Sequence, residues 1–376
     1  MKIGIITQPL ETNYGGLLQN YALQHVLHNL GHTVYTINRR TFDIYTCRWY
    51  AILRWQLRRY INKIRGREYP LSRKEYQVVK QKCTNFVSNN IQTTEIFKSF
   101  KHLKSIIKSY NFEAYIVGSD QVWRPCYSEN IYNDFLDFCQ DEKDIKRIAY
   151  AASFGVNGWE FNEKQTMECG RLVKLFDAVS VREDSGVNLC QDYFGVNALH
   201  VLDPTLLLEK EDYIKLTEDM REPTSVGELF CYILDNNQKI DAAIQNVSSR
   251  LSLNAFEVRA QKGGYLRRRV DINDYVIPSP TKWLRAFMDA KMVFTDSFHG
   301  CVFSIIFNKP FWVIGNKERG NARFDSLLKL FELENRRITV QDIDKTNLND
   351  VINWDRVNSI KKEWQEKSLK YLVENL

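Results

Sequence analysis

An acid, a guanidinium and an imidazole each stand directly behind a short apolar run in this chain. Asp120 follows Ala114–Val117 through Gly118 and Ser119 and precedes Trp123. At the mouth of a strand a carboxylate is partly desolvated, gains basicity and can accept a proton from a hydroxyl. The competing role is to cap the helix that follows. Arg182 ends Ala178–Val181, and its planar fork suits phosphate or carboxylate, or pairing with Glu183, Asp184 or Asp203. His299 and Gly300 open a helical stretch behind Phe294-Thr295-Asp296-Ser297. There an imidazole can hand on protons or, when charged, hold an anion, with Ser297 and the helix N–H groups cradling phosphate. The plainer alternative for His299 is a hydrogen-bonded core residue.

Asn13-Tyr14-Gly15-Gly16 follows the first apolar run and precedes a helix. Glycines there let backbone approach a ligand, and the helix N-terminus offers N–H groups to an anion. The spacing is not GxGxxG and no GK[ST] follows, so neither a dinucleotide nor a P-loop fingerprint is present. A tight strand-to-helix turn explains the segment equally well.

These residues need strands to carry them. Lys2–Thr7, Thr33–Ile37, Ala114–Val117, Arg147–Ala152, Ala178–Val181 and His200–Leu202 read as strands, with a helix over Gln19–Leu30. A second series reads as strands at Leu229–Leu234, Ala255–Val258, Met292–Thr295 and Phe311–Ile314. Its helices are expected near Lys239–Arg250, Lys282–Asp289, Cys301–Phe307 and Asp325–Phe331. Continuous apolar strands alternating with helices predict parallel sheets covered on both faces. The expected division is an N-terminal domain over 1–215, a C-terminal domain over 220–350 and a terminal helix over 354–376, with the boundary in the polar stretch Glu209–Gly227. Ligands of such sheets bind at the carboxyl ends of the strands.

The bulk numbers narrow the class. The chain has 376 residues, 44% hydrophobic and 26% charged, the profile of a folded protein of about two domains. No run is long enough to span a membrane, and the short apolar start followed by a Gly-rich turn is unlike a signal peptide, so the expected location is cytoplasmic. The eight cysteines form no CxxC pair and have no histidine at zinc spacing, which predicts small buried hydrophobes and no metal. A formal charge of +6 without a nucleic-acid motif argues against nucleic acid as partner.

The basic residues cluster, however. Between Arg48 and Arg67 there is no acid. A helix over this inserted segment, 48–67, puts Trp49, Leu53, Leu57, Tyr60, Ile61 and Ile64 on one side and Arg54, Arg58 and Arg65 on another. Such a helix either lies in an anionic membrane surface or packs its apolar side on the domain.

Taken together, Asn13-Tyr14-Gly15-Gly16, Gly118-Ser119-Asp120-Gln121-Val122-Trp123, Ser180-Val181-Arg182-Glu183-Asp184-Ser185, Asp203-Pro204-Thr205 and Asp296-Ser297-Phe298-His299-Gly300, with Asn308-Lys309-Pro310 after them, resemble the polysaccharide pyruvyl transferase family. The likeness runs from residue 2 to about 330. It implies two Rossmann-like domains facing across a cleft, as in GT-B glycosyltransferases. It further implies transfer of pyruvate from phosphoenolpyruvate to a sugar, giving a cyclic ketal and free phosphate. Asp120, Arg182 and His299 match the acid/base and donor positions. Ser297 and Gly300 join Arg182 on the donor side, and Asn13, Tyr14, Gly15, Gly16 and Trp123 form the acceptor side.

Where some members have Arg-Leu-His, this chain has Ser297-Phe298-His299, so a phosphate-binding Arg is missing. Lys317, Arg319 and Arg323 are its expected substitutes. Phosphoenolpyruvate enters as co-substrate, with no cofactor and no metal. The acceptor is expected to be a glycan on a polyprenyl diphosphate, which a membrane-facing helix would serve. The alternative is a GT-B glycosyltransferase taking a nucleotide sugar, because fold does not fix function.

Overall fold

The apolar runs assemble into two main sheets in the computed structural model, which describes residues 1–39, 49–97, 100–260, 265–266, 271–315 and 321–376. In chain order the strands are β1 (Lys2–Ile6), β2 (Thr33–Thr36), β3 (Tyr69–Pro70), β4 (Ala114–Val117), β5 (Lys146–Ala152), β6 (Ala178–Val181), β7 (Leu199–His200), β8 (Leu229–Tyr232), β9 (Ala255–Phe256), β10 (Tyr265–Leu266), β11 (Met292–Thr295), β12 (Phe311–Ile314) and β13 (Arg337–Ile338). The helices are α1 (Tyr14–Asn29), α2 (Trp49–Ile64), α3 (Arg73–Val79), α4 (Gln81–Asn90), α5 (Phe100–Tyr110), α6 (Glu163–Val173), α7 (Asp184–Leu189), α8 (Lys210–Asp219), α9 (Gln238–Leu251), α10 (Pro280–Asp289), α11 (Phe298–Ile306), α12 (Ala322–Leu330) and α13 (Trp354–Asn375). The first sheet runs β2-β1-β4-β5-β6-β7 and the second β13-β12-β11-β8-β9. All pairings within both are parallel. These are two Rossmann-like domains, the α/β class the patterning predicted.

Burial on both faces explains why the strands read as unbroken apolar runs. Along β4, Ala114 and Ile116 enter one core while Tyr115 and Val117 enter another on the opposite face. Along β11, Val293 joins the first of these cores, and Met292 and Phe294 face an outer one. The inner core is continuous between the sheets, holding Ile3, Ile5 and Leu17 together with Phe230, Val293 and Val313. Tyr14 closes its seam. The ring lies 5.6 Å from Trp283 and 6.4 Å from Tyr232, and its hydroxyl donates to the Pro278 carbonyl at 3.0 Å.

Several elements differ from the expectation. Helix α1 starts at Tyr14, so Gly15 and Gly16 lie in its first turn, where missing side chains cost little. The polar stretch expected as a boundary holds α8, whose Tyr213, Leu216 and Thr217 are buried, so a polar exterior concealed an apolar face. Helix α13 returns to the first domain. Tyr371 Oη donates to the Ala149 carbonyl on β5, Ser368 Oγ accepts from Leu202 N, and Gln365 Nε2 donates to Leu206 O. Cys83, Cys139, Cys169, Cys190, Cys231 and Cys301 are free and buried, whereas free Cys126 is exposed; Cys47 lies outside the described residues. No described helix is long and apolar enough to cross a membrane.

Candidate active site

Parallel strands deliver their loops to one edge, and that edge gathers the chemistry. Asp120 follows β4, Arg182 follows β6, Asp203 follows β7, and Asn13 precedes α1 after β1. His299 arrives from the other sheet in the first turn of α11. Arg182 sits at the centre. Its Nη2 lies 3.2 Å from Asp120 Oδ1 and its Nη1 2.8 Å from Asp203 Oδ2. His299 Nε2 lies 3.6 Å from the same Asp203 oxygen, an ion-pair distance for a protonated ring but too long for a hydrogen bond. Asn13 Nδ2 donates to Asp120 Oδ2 at 3.4 Å. All four groups are buried: Asp120, Arg182, Asp203 and His299 are between 2 and 6% exposed.

The backbone makes this crowding possible. A side chain at Gly118, whose φ is +133°, would place its Cβ 2.0 Å from the Tyr150 carbonyl. Asp120 has φ 67°, a left-handed conformation that Asp tolerates better than most residues. Gly15 leaves room for the imidazole, because a Cβ there would fall 2.0 Å from His299 Nδ1. Glu183 is a clamp at the adjoining turn, its Oε1 accepting from Ser153 Oγ and from the backbone N–H groups of Phe154 and Gly155.

Charge state follows from these neighbours. Burial pushes the Asp120 carboxyl up, but Arg182, His299 and Arg323 outweigh it and hold the group below the usual carboxylate range. The expectation that desolvation would make Asp120 more basic is therefore overturned: the cations around it win. Burial likewise opposes ionisation of Asp203, and His299, Arg182 and the Thr205 hydroxyl hold it well below its ordinary value. Burial and then Arg182 bring the Arg323 guanidinium down to about 10, so it stays charged at neutral pH.

The other expected residues divide. Arg323 joins the cluster through Phe298, whose ring lies 4.6 Å from the Arg182 Cζ and 5.5 Å from the Arg323 Cζ. Gly16 borders Asp120, a Cβ there being 3.5 Å from Oδ2. Ser297 caps α11, its Oγ accepting from Gly300 N at 3.4 Å, and Gly300 lets that helix press on β11, where a Cβ would meet Thr295 Oγ1 at 2.2 Å. Lys317 and Arg319 lie outside the described residues. Tyr14 is spent on the seam between the sheets.

Trp123 does not reach the edge at all. Its ring is fully buried, stacked on Phe135 at 4.9 Å, with Nε1 donating to the Asp134 carbonyl, because the turn after Asp120 folds the indole back into the core that Tyr115 and Val117 enter. Asp203 and Phe298 were not singled out for the site. Asp203 carried a readable signal, an acid and Pro-Thr behind a short strand; Phe298 carried none. A cavity of 650 Å³ lies beyond α12, lined by Lys239, Gly315, Asp325, Lys329, Arg337 and Thr339 among others, and does not include Asp120, Arg182 or His299.

Solved structures share this architecture. The glycotransferase of kitacinnamycin matches with 10% identity over 100% of this chain and 99% of its own, at a TM-score of 0.51. A UDP-GlcNAc 2-epimerase from Methanocaldococcus jannaschii matches with 12% identity over 99% and 100%, also at 0.51. The UDP-GlcNAc 2-epimerase from Neisseria meningitidis matches with 9% identity over 100% and 99%, at 0.50. At such identities the likeness is one of fold, the GT-B arrangement. No curated protein matches the sequence. The sequence profile described as polysaccharide pyruvyl transferase matches residues 13–318, the span that carries Asn13, Asp120, Arg182, Asp203 and His299, and the chain belongs to that family.

Proposed function

We propose that this protein moves the pyruvyl group of phosphoenolpyruvate onto two hydroxyls of one sugar in a surface or capsular polysaccharide precursor, forming a cyclic ketal and releasing phosphate. Family membership supports pyruvyl transfer to polysaccharide. The observation that supports this chemistry in this chain is the meeting of Asp120, Arg182 and His299 around Asp203. Arg182 Nε and His299 Nε2 are buried there with no hydrogen-bond partner among the described residues, which suits a cluster awaiting an anion.

The phosphoenolpyruvate anion is held by Arg182 and Arg323, with the Ser297 hydroxyl, the α11 N-terminus at Gly300, and Lys317 and Arg319 as further donor contacts. His299, when protonated, gives its proton to the methylene carbon, and the adjoining carbon becomes oxocarbenium-like. A sugar hydroxyl held by Asn13, Gly15 and Gly16 hydrogen-bonds to Asp120 and attacks that carbon. An incoming anion draws Arg182 and His299 toward itself, which weakens their hold on Asp120 and raises its proton affinity as the hydroxyl arrives. The C–O bond to phosphate then breaks, and the second hydroxyl closes the ring. Of the two hydroxyl protons, one replaces that given to the methylene and the other leaves with phosphate. As the methylene carbon gains hydrogen the adjoining carbon gains a bond to oxygen, so the donor undergoes no net change of oxidation level and the reaction calls for no redox cofactor; no metal is part of this proposal.

The acceptor is proposed to ride on a polyprenyl diphosphate at the cytoplasmic face of a membrane. Phosphate release from phosphoenolpyruvate, measured against a panel of lipid-linked sugars with products weighed by mass spectrometry, tests the whole reading. Release coupled to a ketal-bearing product is expected. The fold alone also suits a nucleotide-sugar donor. Thermal-shift titration separates the two, since stabilisation by a nucleotide sugar and none by phosphoenolpyruvate would favour glycosyl transfer.

A further inference from the structure

Helix α2 is amphipathic, and the routine outcome in a folded protein is that its apolar side turns inward. Here the sides are exchanged. The half-buried residues facing the fold are Trp55, Arg59 and Asn62. Arg59 Nε donates to the Pro70 carbonyl, its guanidinium pairs with Glu75 and lies 5.1 Å from the centre of the Tyr69 ring, and Asn62 Nδ2 donates to the Glu68 carbonyl. The side turned to solvent carries Leu53, Leu57, Tyr60, Ile61 and Ile64, which are 53, 60, 64, 36 and 58% exposed. The side chain of Trp49, expected on the same stripe, lies outside the described residues. Single exposed apolar residues are ordinary, but a contiguous stripe along more than two helical turns marks a contact surface.

The charge around the stripe selects what covers it. At helical spacing Arg54, Arg58 and Arg65 flank one border and Lys63 the other, all exposed, and no acid occurs from 48 to 67. A second copy of this chain would bring the same basic borders against these, like charge on like. A surface that accepts an apolar stripe with arginines along one border and a lysine on the other is an anionic bilayer, with acyl chains below and phosphates at the rim. Placement agrees. Glu75, which holds Arg59, lies on α3, and from α3 and its end Tyr76 and Lys80 bond to Glu11 in the loop that leads to Asn13. The stripe is thus tied to the same edge of the first sheet that carries Asp120 and Arg182.

We propose that α2 lies in the interfacial plane of an anionic membrane, with Leu53, Leu57, Tyr60, Ile61 and Ile64 among the acyl chains and Arg54, Arg58, Lys63 and Arg65 at lipid phosphates. The surface stands on exposure and charge alone. On the reading of a lipid-carried acceptor, it also brings the groove to where that acceptor is held.

The test is sedimentation of the full-length protein with vesicles of phosphatidylcholine alone or of phosphatidylcholine and phosphatidylglycerol in equal parts. Wild type is expected to pellet with the mixed vesicles and not with the neutral ones, and to be released by high salt. Leu57→Glu/Ile64→Glu is expected to lower the partition coefficient by about tenfold or more, and Arg54→Gln/Arg58→Gln to lower it on mixed vesicles only. Both pairs are exposed, so an unchanged melting temperature is expected alongside. Equal pelleting of wild type on both vesicles, or undiminished pelleting of Leu57→Glu/Ile64→Glu, overturns the proposal. So does a dimer in lipid-free buffer that this variant turns into a monomer. Phosphate release with a water-soluble sugar acceptor, expected to be the same in both variants as in wild type, reads the pyruvyl chemistry separately, so failure of one inference does not pass for failure of the other.

Discussion

Gly15 governs how closely the imidazole approaches the first sheet, since a methyl group there would fall 2.0 Å from His299 Nδ1. Gly15→Ala is expected to push the ring aside, costing about 1–3 kcal/mol of stability by overpacking. Turnover should fall by about a hundredfold, because a displacement on the order of an ångström is enough to spoil proton transfer. Phosphate-release kinetics and thermal unfolding check the two effects. Asp203 is the residue on which Arg182 and His299 both lean. Asp203→Asn leaves a buried guanidinium short of its nearest counter-charge and is expected to destabilise by about 3 kcal/mol, read from urea midpoints. Acidity acts through the same pair of carboxylates. Asp120 and Asp203 are both depressed below their ordinary value of 3.8, so their stabilisation is complete above that value and is lost as pH falls through their lower folded values. Urea midpoints from about pH 6 to about pH 3 should therefore fall steeply only at the acidic end, and less steeply in Asp203→Asn.

Helix α11 combines a packing role with the proposed donor contact. Ser297 caps it and Gly300 seats it on Thr295. Because the Ser297 oxygen accepts from Gly300 N, its own proton remains available to a phosphate oxygen. Ser297→Ala is expected to cost about 1 kcal/mol as a lost cap and to raise KM for phosphoenolpyruvate severalfold with kcat little changed. Loss of stability with KM unmoved would confine Ser297 to capping. Asp296, in the same loop, accepts from the backbone N–H groups of Leu234 and Asp235 and so ties the ends of β8 and β11 together. It is a brace for the loop that bears His299.

Across the molecule, the site exists only while the two sheets keep their relation, and two features hold them. One is the continuous inner core sealed by Tyr14 and Trp283. The other is α13, which follows the second domain in sequence and packs on the first. Removing 354–376 uncovers the apolar surface that Val357, Ile360, Tyr371 and Leu372 cover, side chains that are each at most 5% exposed. That truncation is expected to give aggregated protein, whereas Tyr371→Phe, which loses one buried hydrogen bond, should cost only about 1 kcal/mol. Size-exclusion profiles and melting curves distinguish these outcomes.

The residues alone determined the class of fold and which polar groups stand at the ends of its strands. A strand covered on both faces must be apolar along its length, as Ala114–Val117 and residues 292–294 are, and the polar groups that follow such a run come at the sheet's carboxyl edge. Asp120, Arg182 and His299 were legible for that reason. What the run of residues leaves open is anything decided by a neighbour distant in the chain. Whether Trp123 faced the edge or the core depended on Phe135 and on the path of the turn. The side that α2 turns outward depended on Glu75 and Pro70 claiming Arg59. The charge state of Asp120 depended on Arg182, His299 and Arg323, which arrive from β6, α11 and α12 and whose summed attraction exceeds the cost of burial. Local pattern sets which groups are presented, and only tertiary contact sets their company, because electrostatic energy depends on distance through space and not along the chain.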